Sequence, residues 1–561
     1  MSRDTEVGSS FRPTVALTAV LAASLVAGWL VFVRLVLPGR QPEWDEAAHA
    51  LQGALVAHDL RALDLMSLLF DSYRQVWWPP MHSWLVSGAF LIAGPSMETA
   101  RAVSVLAFVL LAPTLFLVAR TVEPRHGILA GSVSAALALT SPGLIALAAE
   151  NMLELPGLLA LSLTTLVYCT LERYPDARPR THMLLGVCTT LTYLLKSNYG
   201  ILLIISIVLT KLIVVGFRAR RLLTKQNLYA VLPLAVFGAI WFAYLPKVVS
   251  TWYALINEAS GEEARGLLGL LFYPRAIVHL SGSWWMSLLL WGGLIMAWRA
   301  RRQPGIGFLA VLALAQFVIG EFHHTKADRH MLPMFPAMFV LAGVAATKLW
   351  SGLPPLGRFR RGAAIGLLAS VAVLHAAALG RRDWSPAEAR DATEVLTYIA
   401  ALTRENAPAL VIGAREAPPG PPAIDWHLVA SERLLPVTAA GSAMDPRQER
   451  RLSRAIGGAG VPERFRESAQ RVLGRYDVSS VTRSLHLGDR LQEDQADFDT
   501  ALESTLASGS PRAIITVIAI SDTTRYPTSF LAPGLARAGF REVSVREFPR
   551  EGTRVHVFRR P

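Results

Sequence analysis

The chain has 561 residues, 52% of them hydrophobic and only 17% charged, with a mean hydropathy of +0.37. That balance is too apolar for an ordinary soluble protein and too charged for a pure channel bundle. A net charge of +13 would suggest nucleic acid in a soluble chain. Here much of the excess sits in short loops between apolar runs, where it reads as membrane topology.

The first apolar run, 14–37, follows Arg3 and Arg12. It exceeds a signal-peptide core and has no persuasive small-residue cleavage site, so an uncleaved transmembrane helix is expected. Further runs lie at 99–120, 126–147, 152–170, 182–195, 198–216, 228–246, 283–299, 304–321, 331–349 and 362–380, giving about eleven spans. The run 81–94 is short, follows Pro79-Pro80 and contains Gly88 and Gly94. It reads as a helix lying at the interface. Cys169 and Cys188 lie in or beside apolar runs and call for no disulfide framework.

With the N-terminus in the cytoplasm, every basic loop obeys the positive-inside rule: Arg120 and Arg125; Arg173, Arg178 and Arg180; Lys211 to Lys225; Arg299 to Arg302; Arg358 to Arg361. The opposite face then receives 38–98, Glu150 to Glu154, Lys196 to Tyr199, a loop over 247–282, and 321–330. The C-terminal part, 383–561, falls outside as well. A span at 81–94 would invert every later loop. The expected division is a membrane domain over 1–382, with 38–98 as its first outer loop carrying interfacial helices, and a soluble domain over 383–561.

The outer loops carry the chemistry. Asp45-Glu46 fits a base and its helper, a metal site, or a helix start favoured by the dipole; all three remain open. His49 is one turn from Asp45 and could share its helix face; a carboxylate and a histidine at that spacing are a weak zinc signature. Arg74 and His82 flank Trp77-Trp78-Pro79-Pro80, whose tryptophans suit a lipid–water interface. Arg101 opens the next span on the outer side, where a positive-inside protein places few arginines. Glu150 and Glu154 sit at an outer turn, where a carboxylate is costly unless it faces a polar cavity or water. Lys196-Ser197-Asn198 reads as a hydrophilic turn. The loop 321–330 holds Lys326 and Arg329, a point charge and a planar fork suited to phosphate. Its histidines His323, His324 and His330 add metal or proton-carrying capacity.

Taken together, Trp44-Asp45-Glu46, Trp78-Pro79-Pro80-Met81-His82, Arg101-Ala102-Val103-Ser104, Glu154-Leu155-Pro156 and Lys326-Ala327-Asp328-Arg329-His330-Met331-Leu332-Pro333 resemble the polyprenyl-phosphate-dependent glycosyltransferases of the GT-C superfamily. The likeness is to the family 39 group, which includes protein O-mannosyltransferases and lipid A aminoarabinose transferases. It covers roughly 10–350. His330 stands where the group usually has tyrosine. The resemblance implies an α-helical polytopic membrane fold with an extracytoplasmic α/β domain, in the plasma (inner) membrane of a bacterium. It implies a sugar donor on a polyprenyl phosphate and a lipid, glycan or protein acceptor, with no nucleic acid. Asp45 would be the general base, oriented by Glu46. Arg329, Lys326 and Arg101 would bind the donor phosphate. Glu154, Glu150, His82 and Arg74 would line the substrate. Some relatives use a divalent metal and others do not; His49, His323 and His324 are the candidate ligands.

In 383–561, buried strands are expected at 409–413 and 513–518, further strands at 543–545 and 555–558, helix over 385–406, and an extended loop at Pro418–Pro422. Two other functional classes remain: a non-catalytic surface-assembly scaffold, in which Asp45 and Arg329 would be dispensable, and a transporter or flippase of lipid-linked sugars. The latter should carry charges at the bilayer midplane on broken helices; here they cluster in outer loops.

Overall fold

The computed structural model describes residues 4–75, 78–243, 262–263, 266–303, 305–322, 325–351, the positions 373, 375 and 377, and then 393–406, 409–414, 420–430, 483–487, 511–519, 535–536, 538–550 and 552–561. Two compact units emerge: Met1–Pro38 with Arg101–Trp384, and Gly39–Ala100 with Ser385–Pro561.

The first unit is helical. It begins with α1 (Asp4–Val31), which ends in a π turn, Phe32–Val36. The second unit contributes α2 (Trp44–Arg61), α3 (Leu65–Arg74) and α4 (Met81–Ala93). The first unit then resumes within α5 (Met97–Val122), followed by α6 (Gly127–Thr140), α7 (Pro142–Ala148), α8 (Glu154–Arg173), α9 (Pro179–Leu195), α10 (Ser197–Val214) and α11 (Lys225–Trp241). Helices Gly266–Ser281, Trp284–Arg299, Ile306–Phe322 and Phe335–Ser351 follow among the described residues. The core joins Phe108, Leu111, Leu115 and Phe116 of α5 to Leu155, Leu158 and Leu161 of α8 and to Phe335 and Phe339.

Ten of the eleven expected runs have a helix. Among the described residues, five helices are long and apolar enough to cross a membrane: Pro13–Val36, Met97–Val122, Glu154–Arg173, Ser197–Val214 and Asp328–Leu349, or up to seven if each of two bent pairs is one span. Three other runs form helices of 17 residues: α9, α11 and Ile306–Phe322. The run 362–380 falls almost wholly outside the described residues. Helix α4 has 13 residues, about 20 Å of rise, short of the ~30 Å hydrocarbon thickness.

Two expectations about the apolar segments need correction. The run 126–147 is not one straight span: it bends by 61° between α6 and α7, where Pro142 removes a backbone donor. The outer loop expected at 247–282 contains the helix Gly266–Ser281, which turns by 112° into Trp284–Arg299. Pro274, Arg275 and His279 interrupt its apolar pattern, which hides the helix from a hydropathy reading. The two bends meet. Ser141 Oγ donates to the Leu280 carbonyl at 2.9 Å. Gly282 has a φ of +91°, and a Cβ there would meet Pro142 Cγ at 2.6 Å, so only glycine suits the turn.

The second unit combines the first outer loop with the C-terminal part. This differs from the expected grouping, in which 38–98 went with the membrane helices. Packing is the reason: the helix Pro421–Ala430 lies on α2, and Trp426 stacks on Phe90 of α4 with ring centroids 5.8 Å apart. Helices α2 and α4 approach closely, because a Cβ on Gly53 would meet Val86 Cγ1 at 2.4 Å.

The C-terminal sheet runs β4-β3-β5-β7-β6. Its strands are β3 (Ala409–Ala414), β4 (Arg483–Leu487), β5 (Ala513–Ala519), β6 (Arg541–Phe548) and β7 (Thr553–Arg559). Strand β3 is parallel to β4 and β5, and β7 is antiparallel to β5 and β6. Strand β4 has no counterpart among the expected strands. The helix Thr393–Glu405 lies within the expected 385–406. The expected loop at Pro418–Pro422 is corrected at its end: Pro421 and Pro422 open the helix Pro421–Ala430, where their fixed φ suits a first turn.

Candidate active site

Each unit carries its own polar cluster. In the second unit, Asp45 and Glu46 lie in the first turn of α2. The sequence Glu43-Trp44-Asp45-Glu46 builds a capping box: Glu46 accepts from the Glu43 backbone N–H at 3.3 Å. Arg40 Nη2 donates to the same Glu46 oxygen at 3.0 Å. Glu46 is buried, and this ion pair and cap offset the cost of burying its charge. Asp45 is half-buried.

One turn on from Glu46, the buried His49 ring meets Trp78 edge-on at 4.4 Å and His82 at 5.2 Å. Thus the α2 start and the segment after the tandem prolines share one cluster. Beside it, Ser83 Oγ donates to Gln75 Oε1 at 2.9 Å. Arg74 ends α3.

In the first unit, Glu154 opens α8 and is almost fully buried, at 1% exposure. Lys196, between α9 and α10, donates to Glu154 Oε1 at 2.5 Å. The Arg329 guanidinium also acts electrostatically on Glu154, and the 3-10 turn Asp328–Met334 that carries it packs on α8. Arg101 on α5 is wholly buried. One turn further, Ser104 Oγ donates to the Met152 carbonyl at 3.4 Å, which ties α5 to the turn holding Glu150, Asn151 and Glu154.

The loop with Lys326 is held by a two-residue ladder: β1 (Glu262–Glu263) pairs antiparallel with β2 (Thr325–Lys326). Lys326 is buried, 4% exposed. It donates to Glu321 Oε2 at 2.6 Å and lies 4.7 Å over the Tyr273 ring. The Tyr273 hydroxyl shares a hydrogen bond of 3.2 Å with His330 Nδ1. His279 Nδ1 lies 2.7 Å from Asp328 Oδ2 at an exposed position. His323 and His324 lie outside the described residues. Among the described residues, no group of three or more His, Cys, Asp or Glu side chains could hold a metal ion.

No role for Arg40, Tyr273 or Gln75 was legible in the sequence, and Lys196 read only as part of a hydrophilic turn. Arg40 is three residues from Glu43 and could have been read as its partner. Lys196 and Tyr273 reach partners 42 and 57 positions away, a distance at which a single sequence gives no signal. Gln75 gave none either.

Residues 78–244 match the family profile of dolichyl-phosphate-mannose-protein mannosyltransferases. ArnT from Cupriavidus metallidurans bound to undecaprenyl phosphate superposes with a TM-score of 0.52 at 16% identity, over 96% of this chain and 97% of that one. The same protein in the apo state gives 0.53 at 16% identity, over 97% and 98%. The apo Archaeoglobus fulgidus oligosaccharyltransferase gives 0.50 at 13%, over 81% and 68%. No curated protein matches significantly by sequence. The chain therefore has the GT-C membrane fold. Its matched segment is glycosyltransferase sequence, and the class is a membrane glycosyltransferase.

Proposed function

We propose that the chain moves a sugar from a polyprenyl-phosphate donor to an acceptor at the outer face of the membrane, inverting the anomeric carbon. The observation that carries this reading is the buried turn at Glu154, where the Lys196 ammonium is paired with the carboxylate and the turn that carries Arg329 packs on the same helix. A likeness along the whole chain to ArnT, solved with undecaprenyl phosphate, supports a lipid phosphate as the donor's carrier.

In this mechanism Asp45 takes the proton of an acceptor hydroxyl or amine. The freed lone pair attacks the anomeric carbon as its bond to the phosphate oxygen breaks. The lipid phosphate leaves as an anion, and Arg329, with Lys326 and Arg101, stabilises that charge. Glu46 holds the start of α2 through Arg40 and so orients Asp45. Glu154, with Glu150, His82 and Arg74, contacts the substrate.

The test is transfer by the reconstituted protein from a panel of polyprenyl-phosphate sugars, wild type beside Asp45→Asn. Turnover in wild type and none in the variant is expected. Transport of lipid-linked sugar without transfer would favour a flippase. The outward placement of 383–561 is checked by labelling a cysteine at position 400 from outside; labelling only after the membrane is opened would refute it.

A further inference from the structure

The two oxygens of Glu154 are not equivalent. Oε1 takes the Lys196 ammonium. Oε2 is buried and accepts no hydrogen bond among the described residues. A buried carboxylate oxygen with no donor is costly, and a ligand bringing an N–H or O–H removes that cost.

Lys196 is held in place. Its Nζ lies 5.2 Å over the Tyr199 ring, and Tyr199 is itself buried. Gly157, one turn after Glu154, lets this turn close against α8: a Cβ there would lie 3.0 Å from the Tyr199 ring and 3.4 Å from Lys196 Cβ. Lys196 thus stays on the Oε1 side, and the acceptor capacity of the buried Oε2 is unused among the described residues.

We infer that Lys196 is a positioning residue that fixes Glu154 by one oxygen, so that Oε2 accepts a hydrogen bond from the transferred sugar and selects neutral or amino sugars over uronic acids. A sugar hydroxyl or ammonium satisfies Oε2. A sugar carboxylate would set like charge against it in a buried site, and such juxtaposition discriminates strongly. The inference rests on the transferase reading above.

The test uses the full chain in nanodiscs and four lipids: bare undecaprenyl phosphate, and the same lipid phosphate carrying a neutral hexose, an amino sugar or a hexuronic acid. In wild type, the neutral or amino sugar should bind at least about tenfold more tightly than bare lipid, as one charged hydrogen bond allows. The uronic acid should gain nothing. Lys196→Met should erase this sugar increment, and Lys196→Arg should keep most of it. A merely structural lysine would lower stability and leave the ratio of sugar lipid to bare lipid unchanged. If Lys196→Met does not fold, the uncharged pair Glu154→Gln with Lys196→Met carries the test. An increment retained in Lys196→Met or in the double variant, or a wild type that prefers the uronic acid, overturns the inference. A wild type that transfers no sugar from any of these lipids defeats the transferase reading and this inference with it. Transfer with an unchanged Lys196→Met ratio defeats this inference alone.

Discussion

Glu46 and Glu154 are both buried carboxylates in the first turn of a helix, each paired with one cation, yet their surroundings differ. One oxygen of Glu46 takes both the Arg40 guanidinium and the Glu43 backbone N–H, local partners that fix a helix start. Glu154 takes its cation from 42 residues away and keeps one oxygen without a donor among the described residues. An acidic residue in a first turn is therefore not a single kind of object. Partners drawn from its own turn make it a cap. A partner from a distant turn, with acceptor capacity left over, fits the binding role proposed for Glu154.

The sharpest way to break this comparison is at Asp45, beside the capped Glu46. Asp45→Asn should lower turnover by roughly 10²–10⁴-fold, the range for a lost general base, while donor affinity in nanodiscs stays near wild type. Full activity in Asp45→Asn with loss in Glu46→Gln would reverse the two roles. Next comes Arg329, the cation acting on Glu154. Arg329→Ala should cost on the order of 1.5–3 kcal/mol in donor binding and turnover, roughly ten- to hundredfold. Arg329→Lys should fall between, since it keeps the charge and loses the planar fork. Wild-type values in Arg329→Ala would move the phosphate grip to Lys326 or Arg101.

A smaller effect belongs to the cap. Glu46→Gln loses its ion pair with Arg40, and should lower stability by about 1–2 kcal/mol, read by thermal unfolding. Activity should fall less than in Asp45→Asn; an equal fall would make Glu46 part of the chemistry. The smallest effect is that of His427, on the helix that packs on α2. Burial lowers its pKa below the usual 6.5. In the unfolded chain the imidazole protonates as pH falls through about 6.5, while the folded form stays neutral. The unfolded state then binds more protons, so stability should decrease with acidification below that value and level off below the folded pKa. His427→Phe should flatten this part of the unfolding-versus-pH curve; an unchanged slope would assign it to other groups.

The features legible in the sequence are those fixed by neighbours along the chain. Ten of the apolar runs coincide with helix, one of them with the bent pair α6 and α7, because apolar patterning and backbone hydrogen bonding are local demands. Strands β3, β5, β6 and β7 stood out through short β-branched stretches, and Asp45-Glu46 was recognisable as a helix start. Tertiary structure alone decided the rest. The helix Gly266–Ser281 was masked by Pro274, Arg275 and His279, whose tolerance depends on packing. The grouping of 39–100 with 385–561 depends on Phe90 meeting Trp426. Glu154 found Lys196, and His330 found Tyr273, only through the packing of separate helices. Periodicity reports which face of a helix is apolar, but not which distant side chain will stand opposite a buried charge.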